Sequence, residues 1–594
     1  MPPLLKNRDE VIDLLEAIAQ ILELKGESVF KVRAYSNGAR TLETFTGDFD
    51  GLINSGELAS LPGMGEALTD KITTFATTGS LPYYEELKAS VPEGLFELFE
   101  LQGLGPKKIK ALWEQLNITT ISTLESAAKD GSIAALKGFG PKTAANLLEA
   151  IESKKRYANS YRFTDIAPIA EHLREQLRDL DEVIQVEIAG SYRRRKEIVR
   201  DIDFIVSSNH PDPVMHFFTT HPQVESIIVH GPTKSSVRLK LGIQADLRVV
   251  SNPQFPFALN YFTGSKEHNI LIRQRALHRG WTLNEYRLAQ DPKQSDAPLP
   301  PEDIHTEADL YRALGLDFIP PELREASGEI EAAEKHALPR LVELSNLRGT
   351  FHCHTTASDG RSSLREMVDA ALDHGLQYLG ISDHSKSSVQ ARGLSETQLL
   401  QQVHEIHQLN AELGPAFRIF TGVECDILKD GSLDYPDEIL AQLDYVVASV
   451  HNAFEMKESD MTERIIRAME NPHVTMLGHV SGRLLLTREA YAVDIPRIID
   501  AAARTHTWIE LNGNGRRLDM DWRLWPLAKS RGVRCVINPD AHHVNQFQNL
   551  QFGTNSARKG GLTKEDVMNC LPILSIEHEL QRKRALAGIK PPRA

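Results

Sequence analysis

The 594-residue chain lacks any uninterrupted apolar run of about 18 residues, the length a helix needs to cross a bilayer. Its first stretch, residues 1–16, also lacks the apolar centre of a secretion signal. Cysteine is scarce: Cys353, Cys425, Cys535 and Cys570 form no Cys-x-x-Cys pair, which argues against a disulfide framework or a zinc ribbon. A cytoplasmic location is therefore expected. Net basic charge is missing too, with 67 Lys and Arg against 81 Asp and Glu, a formal charge of -14. That balance would oppose nucleic-acid binding only if the charge were evenly spread. Basic clusters at Lys107-Lys108-x-Lys110, Lys154-Lys155-Arg156 and Arg193-Arg194-Arg195-Lys196 show that it is not. A chain this long exceeds one core, so two to five domains are expected.

Three segments repeat one pattern: Leu61-Pro-Gly63-Met-Gly65, Leu101-Gln-Gly103-Leu-Gly105 and Leu136-Lys-Gly138-Phe-Gly140, each ahead of a stretch with helical apolar spacing. Two glycines at a helix start let backbone N–H groups approach an anion where the helix dipole favours negative charge. This is the helix-hairpin-helix pattern, which grips DNA phosphates without reading bases. A single copy could equally be a plain corner between helices, but three copies favour phosphate binding.

Farther on, Asp201-Ile-Asp203 opens a strand whose period of two puts both carboxylates on one side. In Ala245-Asp246-Leu247-Arg248 the same alternation pairs Asp246 with Arg248. Three carboxylates on adjoining strands repel by roughly 4 kcal/mol per pair at 4 Å and an effective dielectric near 20, so they call for cations. Oxygen ligands alone suit Mg²⁺, and two such ions could hold an attacking hydroxyl and a leaving pyrophosphate in line. Taken alone, Asp-x-Asp could also be an exposed strand face.

The order Gly190-Ser191-x-Arg-Arg194, Asp201-x-Asp203, Asp246-x-Arg248, Tyr261-Phe262-Thr-Gly264-Ser, Asn269, Arg273 and Asn284-Glu-Tyr286 resembles family X DNA polymerases, the group that includes polymerase beta, over residues 1 to about 320. The resemblance implies that Asp201, Asp203 and Asp246 are metal-binding catalytic carboxylates. It implies that Gly190, Ser191 and Arg194 hold the triphosphate, that Tyr261 and Phe262 lie against the sugar, that Gly264 belongs to the nucleotide site, and that Asn269 and Arg273 contact the nascent pair and DNA. Arg195 and Arg200 stand where eukaryotic members carry glycine. Lys71 falls where the family's deoxyribose-phosphate lyase has its Schiff-base lysine, although Glu66, Asp70 and Ala67 alter its surroundings and an exposed helix lysine is the plainer alternative.

Beyond residue 348, short apolar runs end in polar clusters: His352-Cys-His354, Asp383-His384, Glu424, His451, His479, Asn512 and Asp540-Ala-His542, with helical patterns between them. That alternation implies a parallel α/β barrel of seven strands with its functional groups at their carboxyl ends. Thirteen of the 22 histidines lie between His352 and His578, more than scattered core histidines would supply. His352, His354, Asp359, His384, Glu424, His451, His479, Asp540 and His542 form a ligand set for about three ions, and imidazole mixed with carboxylate suits Mn²⁺ or Zn²⁺. The motifs resemble the PHP domain, the polymerase and histidinol phosphatase family, which implies a metal-dependent phosphoesterase.

The expected fold class is thus multidomain α+β and α/β: helical helix-hairpin-helix domains, a nucleotidyltransferase palm with thumb, and a distorted seven-stranded barrel. The expected boundaries are a lyase-like helical domain at 1–90, a second hairpin domain at 91–158, a palm at 159–255, a nucleotide-selecting subdomain at 256–320, a linker at 321–346, the barrel at 347–575 and a tail at 576–594. The two resemblances together imply a monomeric, bacterial, nucleoid-associated DNA polymerase that fills short gaps with dNTPs during repair and carries a 3′→5′ exonuclease, with abasic-site cleavage as a further option. A small-molecule phosphoesterase with an inactive polymerase core, or a noncatalytic scaffold for DNA ends, stay open as alternatives.

Overall fold

A computed structural model describes residues 6–45, 48–99, 101 and 103–589, which fall into two compact units, residues 1–158 and 159–594. The first unit is all helical. Its core gathers one apolar face from each helix, with Leu15, Ile18, Leu22, Ile72, Leu95, Ile109, Leu112 and Leu124 fully buried. Helices Glu66–Thr78, Pro106–Leu116 and Pro141–Arg156 each follow one of the three glycine turns. Gly63, Gly103, Gly138 and Gly140 have φ of 80°, 87°, 90° and 139°, which disfavours any side chain there. No atom lies within 4 Å of where a Cβ would stand at any of the six glycines, so the turns present open backbone.

The second unit begins with a five-stranded mixed sheet in the order Gln185–Ile188, Asp201–Ser207, Gln244–Val250, Lys234–Leu239, Val224–His230. The second and third strands of that order are parallel, and their register sets Asp203 directly opposite Asp246. Alternation is clean along Gln244–Val250: Ala245, Leu247 and Val249 are buried, and the residues between them are not. Helices Phe255–Thr263 and Lys266–His278 follow, joined at Gly264-Ser265.

The stretch 321–346 departs from the linker expected of it. It holds helix Glu329–Glu334, with Arg324, Glu329, Ile330 and Ala333 buried against the preceding subdomain. Its polar residues misled because they are paired inside: Arg324 Nη1 donates to Glu307 at 2.6 Å, and Glu329 lies 2.7 Å from His268 Nδ1. Composition alone cannot distinguish a buried ion pair from a solvated charge.

Seven strand positions then build the barrel: Gly349–Thr350, Tyr378–Ile381, Arg418–Thr421 continued by Glu424–Asp426, Val447–Ser449, Met476–Leu477, Trp508–Asn512 and Cys535–Asn538. Neighbours pair in parallel within each part of the ladder. The first and last strands meet through a Cys353–Ala541 bridge and a 3.1 Å bond from Thr350 Oγ1 to Ile537 O. Phe351, Tyr378, Phe420, Tyr445 and Trp508 form an aromatic core that packs on Ile576 and Leu580. These last two belong to helix Ile573–Leu586, so most of the expected tail is part of the barrel's packing; residues 590–594 lie outside the described residues. Among the described residues no helix is long and apolar enough to cross a membrane.

Candidate active sites

In the sheet, Asp201, Asp203 and Asp246 converge on one face as the alternation requires. Burial and the charges of Asp201 and Asp246 push Asp203 up to about 7, and burial with Asp246 raises Asp201. Such mutual elevation is the signature of carboxylates assembled without their countercharge. The turn at Gly190 packs on this cluster: with φ at 63°, a Cβ there would stand 2.4 Å from Asp203 Oδ2, so glycine makes room for the carboxylate. Ser191 is the second residue of the turn's short helix, Gly190–Arg193.

Arg194 donates from Nε to Glu325 Oε1 at 3.0 Å and from Nη1 to Thr263 O, the residue before Gly264. Arg193 reaches Glu307 and Thr263 Oγ1 at 2.6 and 2.7 Å. Burial opposes the charge on Glu307, yet Arg324 and Arg193 outweigh it and hold this carboxyl down near 2. Arg195 turns away from the carboxylates and lies over the rings of Phe163 and Tyr192, at 5.4 and 5.9 Å. Arg200 is exposed. Phe262 is covered by Arg248 at 4.2 Å, Tyr261 and Phe262 meet edge to face, and Asn269 Nδ2 donates to Tyr261 O at 2.7 Å. Arg273 is exposed one turn beyond Asn269. Lys71 donates to Ala67 O in its own helix at 3.1 Å and lies 5.0 Å from the Tyr83 ring.

At the carboxyl ends of the barrel strands all nine expected ligand residues come together. Glu424 is central: Oε1 lies 3.3, 3.2 and 3.0 Å from Nε2 of His352, His451 and His479, and Oε2 is 2.9 Å from His384 Nδ1 and 3.6 Å from His354 Nε2. Asp540 Oδ1 stands 3.5 and 3.4 Å from His352 and His354. Asp359 Oδ1 is 3.6 and 3.4 Å from His384 and His542. Three overlapping groups have ligand atoms close enough to share an ion: His354-Asp359-His384-His542, His352-His354-Glu424 and His384-Glu424-His451.

The donor set fits metal. Nε2 of His352 and both ring nitrogens of His354 are buried with no hydrogen-bond partner, an arrangement that costs free energy unless a cation takes their lone pairs. Burial disfavours charge on His451, but Glu424 and Asp426 outweigh it and lift this imidazole to about 10. Burial with the neighbouring His542 and His384 drives His354 down to about 4. His352 and Asp540 each hold φ of 49°, so backbone strain is concentrated at two ligand positions.

Two functional carboxylates escaped the sequence reading. Asp426 Oδ1 lies 2.5 Å from His451 Nδ1, and Glu510 Oε1 lies 2.5 Å from His352 Nδ1; both are fully buried. Each holds the orientation of an imidazole in the cluster. The signal for Asp426 was its place two residues after Glu424, on the same strand face. Asp383 accepts from Thr355 and Ser358, tying down the loop that carries Asp359.

Comparison with known proteins agrees with this geometry. Family models match for a helix-hairpin-helix domain (6–81), a SAM-like helix-hairpin-helix tandem (96–153), DNA polymerase beta palm (164–240) and thumb (258–325), and a PHP domain (350–514). The DNA polymerase/3′-5′ exonuclease PolX of Bacillus subtilis (strain 168) is 37% identical over 578 residues, 97% of this chain and 100% of its own length. The chain belongs to the family X DNA polymerases. Within this family X polymerase, 40% of the chain is also similar to a probable phosphatase of Thermoanaerobacter sp., 27% identical over 248 residues and matched over 96% of that protein. A ternary complex of Leishmania infantum polymerase beta matches 40% of the chain, and all of its own, at 23% identity and a TM-score of 0.25.

Proposed function

We propose that this protein is a DNA-directed DNA polymerase that fills short gaps during repair, and that its barrel is a metal-dependent 3′→5′ exonuclease. The observation that carries the first part is the pairing of Asp203 with Asp246 beside Asp201 on adjacent parallel strands, a complete carboxylate set below the Gly190 turn. Two Mg²⁺ ions bound there would supply the charge that aligns a 3′-hydroxyl with the α-phosphate and steadies pyrophosphate as it leaves. Arg194 and Ser191 would bind the triphosphate, the Tyr261-Phe262 turn would lie under the sugar, and Arg273 would meet DNA. The six turn glycines of the first unit, in the regions 1–90 and 91–158, would hold duplex phosphates through open N–H groups.

For the barrel, the nine ligand residues would hold about three Mn²⁺ or Zn²⁺ ions, which supply a nucleophilic hydroxide at neutral pH when bound. Asp426 and Glu510 would keep His451 and His352 aimed. The similarity to a probable phosphatase fits a phosphoesterase barrel acting here on a DNA 3′ end. Lys71, half-buried and bonded within its own helix, gives a lyase step no support beyond its position in the sequence.

The test is one gapped, end-labelled duplex assayed for both activities. Asp203→Asn should reduce incorporation by about a thousandfold or more, the scale of losing a metal-held transition-state contact, while 3′-end removal persists. His354→Ala or Asp540→Asn should do the reverse. Loss of degradation in Asp203→Asn, or normal degradation in the histidine variant, would refute the division of labour. Hydrolysis of histidinol phosphate without incorporation would favour a small-molecule phosphoesterase instead.

A further inference from the structure

Glu325 joins two cations that belong to different activities. Its Oε1 accepts from Arg194 Nε at 3.0 Å and from Lys559 Nζ at 2.6 Å. Lys559 ends helix Asn549–Lys559 of the barrel, its side chain has no solvent exposure, and it lies 4.4 Å from the Trp522 ring. The same helix touches the polymerase part again: Arg558 pairs with Glu322 at 2.7 Å, and Phe552 meets Phe163 edge to face. Trp522 Nε1 and Arg523 Nη1 both donate to Glu197, three residues beyond Arg194. The barrel therefore backs the Gly190–Arg194 turn at several independent points.

We propose that Lys559 is a positioning residue for nucleotide binding in the polymerase site, acting through Glu325. This rests on the reading that Arg194 receives the triphosphate. In the structure Arg194 spends Nε on Glu325 and Nη1 on Thr263 O, so a triphosphate that takes the whole guanidinium competes with Glu325 for it. Glu325 is only 14% exposed, and a buried carboxylate stripped of its partner is costly. Lys559 removes that cost, because it stays on the same oxygen when Arg194 leaves. The barrel thus supplies the cation that allows Arg194 to change partners.

The experiment is single-nucleotide incorporation by the full-length protein on a gapped duplex, over a dNTP titration, alongside 3′-end removal. Lys559→Met should raise KM for dNTP about tenfold with kcat changed little, because a buried charge is left unpaired when Arg194 moves. Its 3′-end removal should stay at the level of the unmodified protein. The double variant Lys559→Met/Glu325→Gln should bring KM back, since it no longer carries the charge that needs a partner. A normal KM in Lys559→Met, or no rescue in the double variant, would overturn the proposal. Should Lys559→Met fail to fold, Glu325→Gln alone decides: it should lower KM by releasing Arg194, and a raised KM would count against the idea. Arg194→Ala separates the underlying reading. If it leaves KM unchanged, the triphosphate assignment fails and the proposal with it; if it raises KM while Lys559→Met does not, only the role of Lys559 is lost.

Discussion

Glu510 Oε1 stands 2.5 Å from Nδ1 of His352, and both side chains are completely buried. Asn538 Nδ2 donates to the same oxygen at 3.0 Å, so the carboxylate is itself held in place. Glu510→Gln should therefore keep the fold yet weaken metal binding in the barrel by about 10- to 100-fold, the usual effect of losing such a support. Titrating the metal-stripped protein with Mn²⁺ while following 3′-end removal checks this. Restoration of full rate at saturating metal is expected, and unchanged metal affinity would show that His352 needs no such anchor.

Asp203 gives a pH-dependent stability test. Its folded-state pKa is raised to about 7, above the ordinary value near 3.8. Between those values the folded, metal-free protein binds more protons than the unfolded chain, so stability falls as pH rises through the window and the full penalty is present above about 7. Asp203→Asn cannot ionise and should raise Tm by a few degrees at pH 8 without metal. The gain should nearly vanish at pH 4. Equal gains at both values would mean that the effect is not electrostatic.

The glycine turns should make DNA binding independent of sequence and strongly salt-sensitive. Neutralising about six phosphates should lower affinity roughly a thousandfold between 50 and 200 mM salt. Gly103→Val and Gly138→Val, at φ of 87° and 90°, should strain the turns and weaken binding to every sequence alike. Fluorescence anisotropy on labelled gapped duplexes measures both effects. A flat salt response would exclude phosphate gripping as the source of affinity.

Lys71 is expected to be dispensable for trapping. Borohydride should give no more covalent adduct on a 5′-deoxyribose-phosphate end with the unmodified protein than with Lys71→Ala. A strong adduct abolished by that substitution would reinstate an imine at Lys71.

Much of this was legible before the structure because the chemistry follows strand periodicity. The spacing in Asp201-x-Asp203 and His352-x-His354 fixes a shared face whatever lies around it, and the ends of apolar runs marked the barrel's functional rim. What was not legible depends on long-range pairing. The polar stretch 321–346 reads as solvated until Arg324 finds Glu307, and Ile576 and Leu580 read as a tail until the barrel core receives them. Glu510 lay in a run already noted as a strand, but only its distance from His352 gives it a purpose. Arg195 stands where eukaryotic members carry glycine, and nothing in the sequence tells that its side chain lies over Phe163.

The seam of the barrel has a temporal meaning. Thr350 and Ile537 are hydrogen-bonded across 187 residues of sequence, and Asp540 must reach His352 over a similar span. Contacts of such long range form late, because closing the loop costs entropy before any pairing repays it. Residues 159–250 can complete their sheet with partners close in sequence, whereas the ligand set at the barrel's rim stays incomplete until its last strand has left the ribosome. A newborn molecule should thus assemble its carboxylate site before its histidine site, while the Lys559 contact to Glu325 forms only after both.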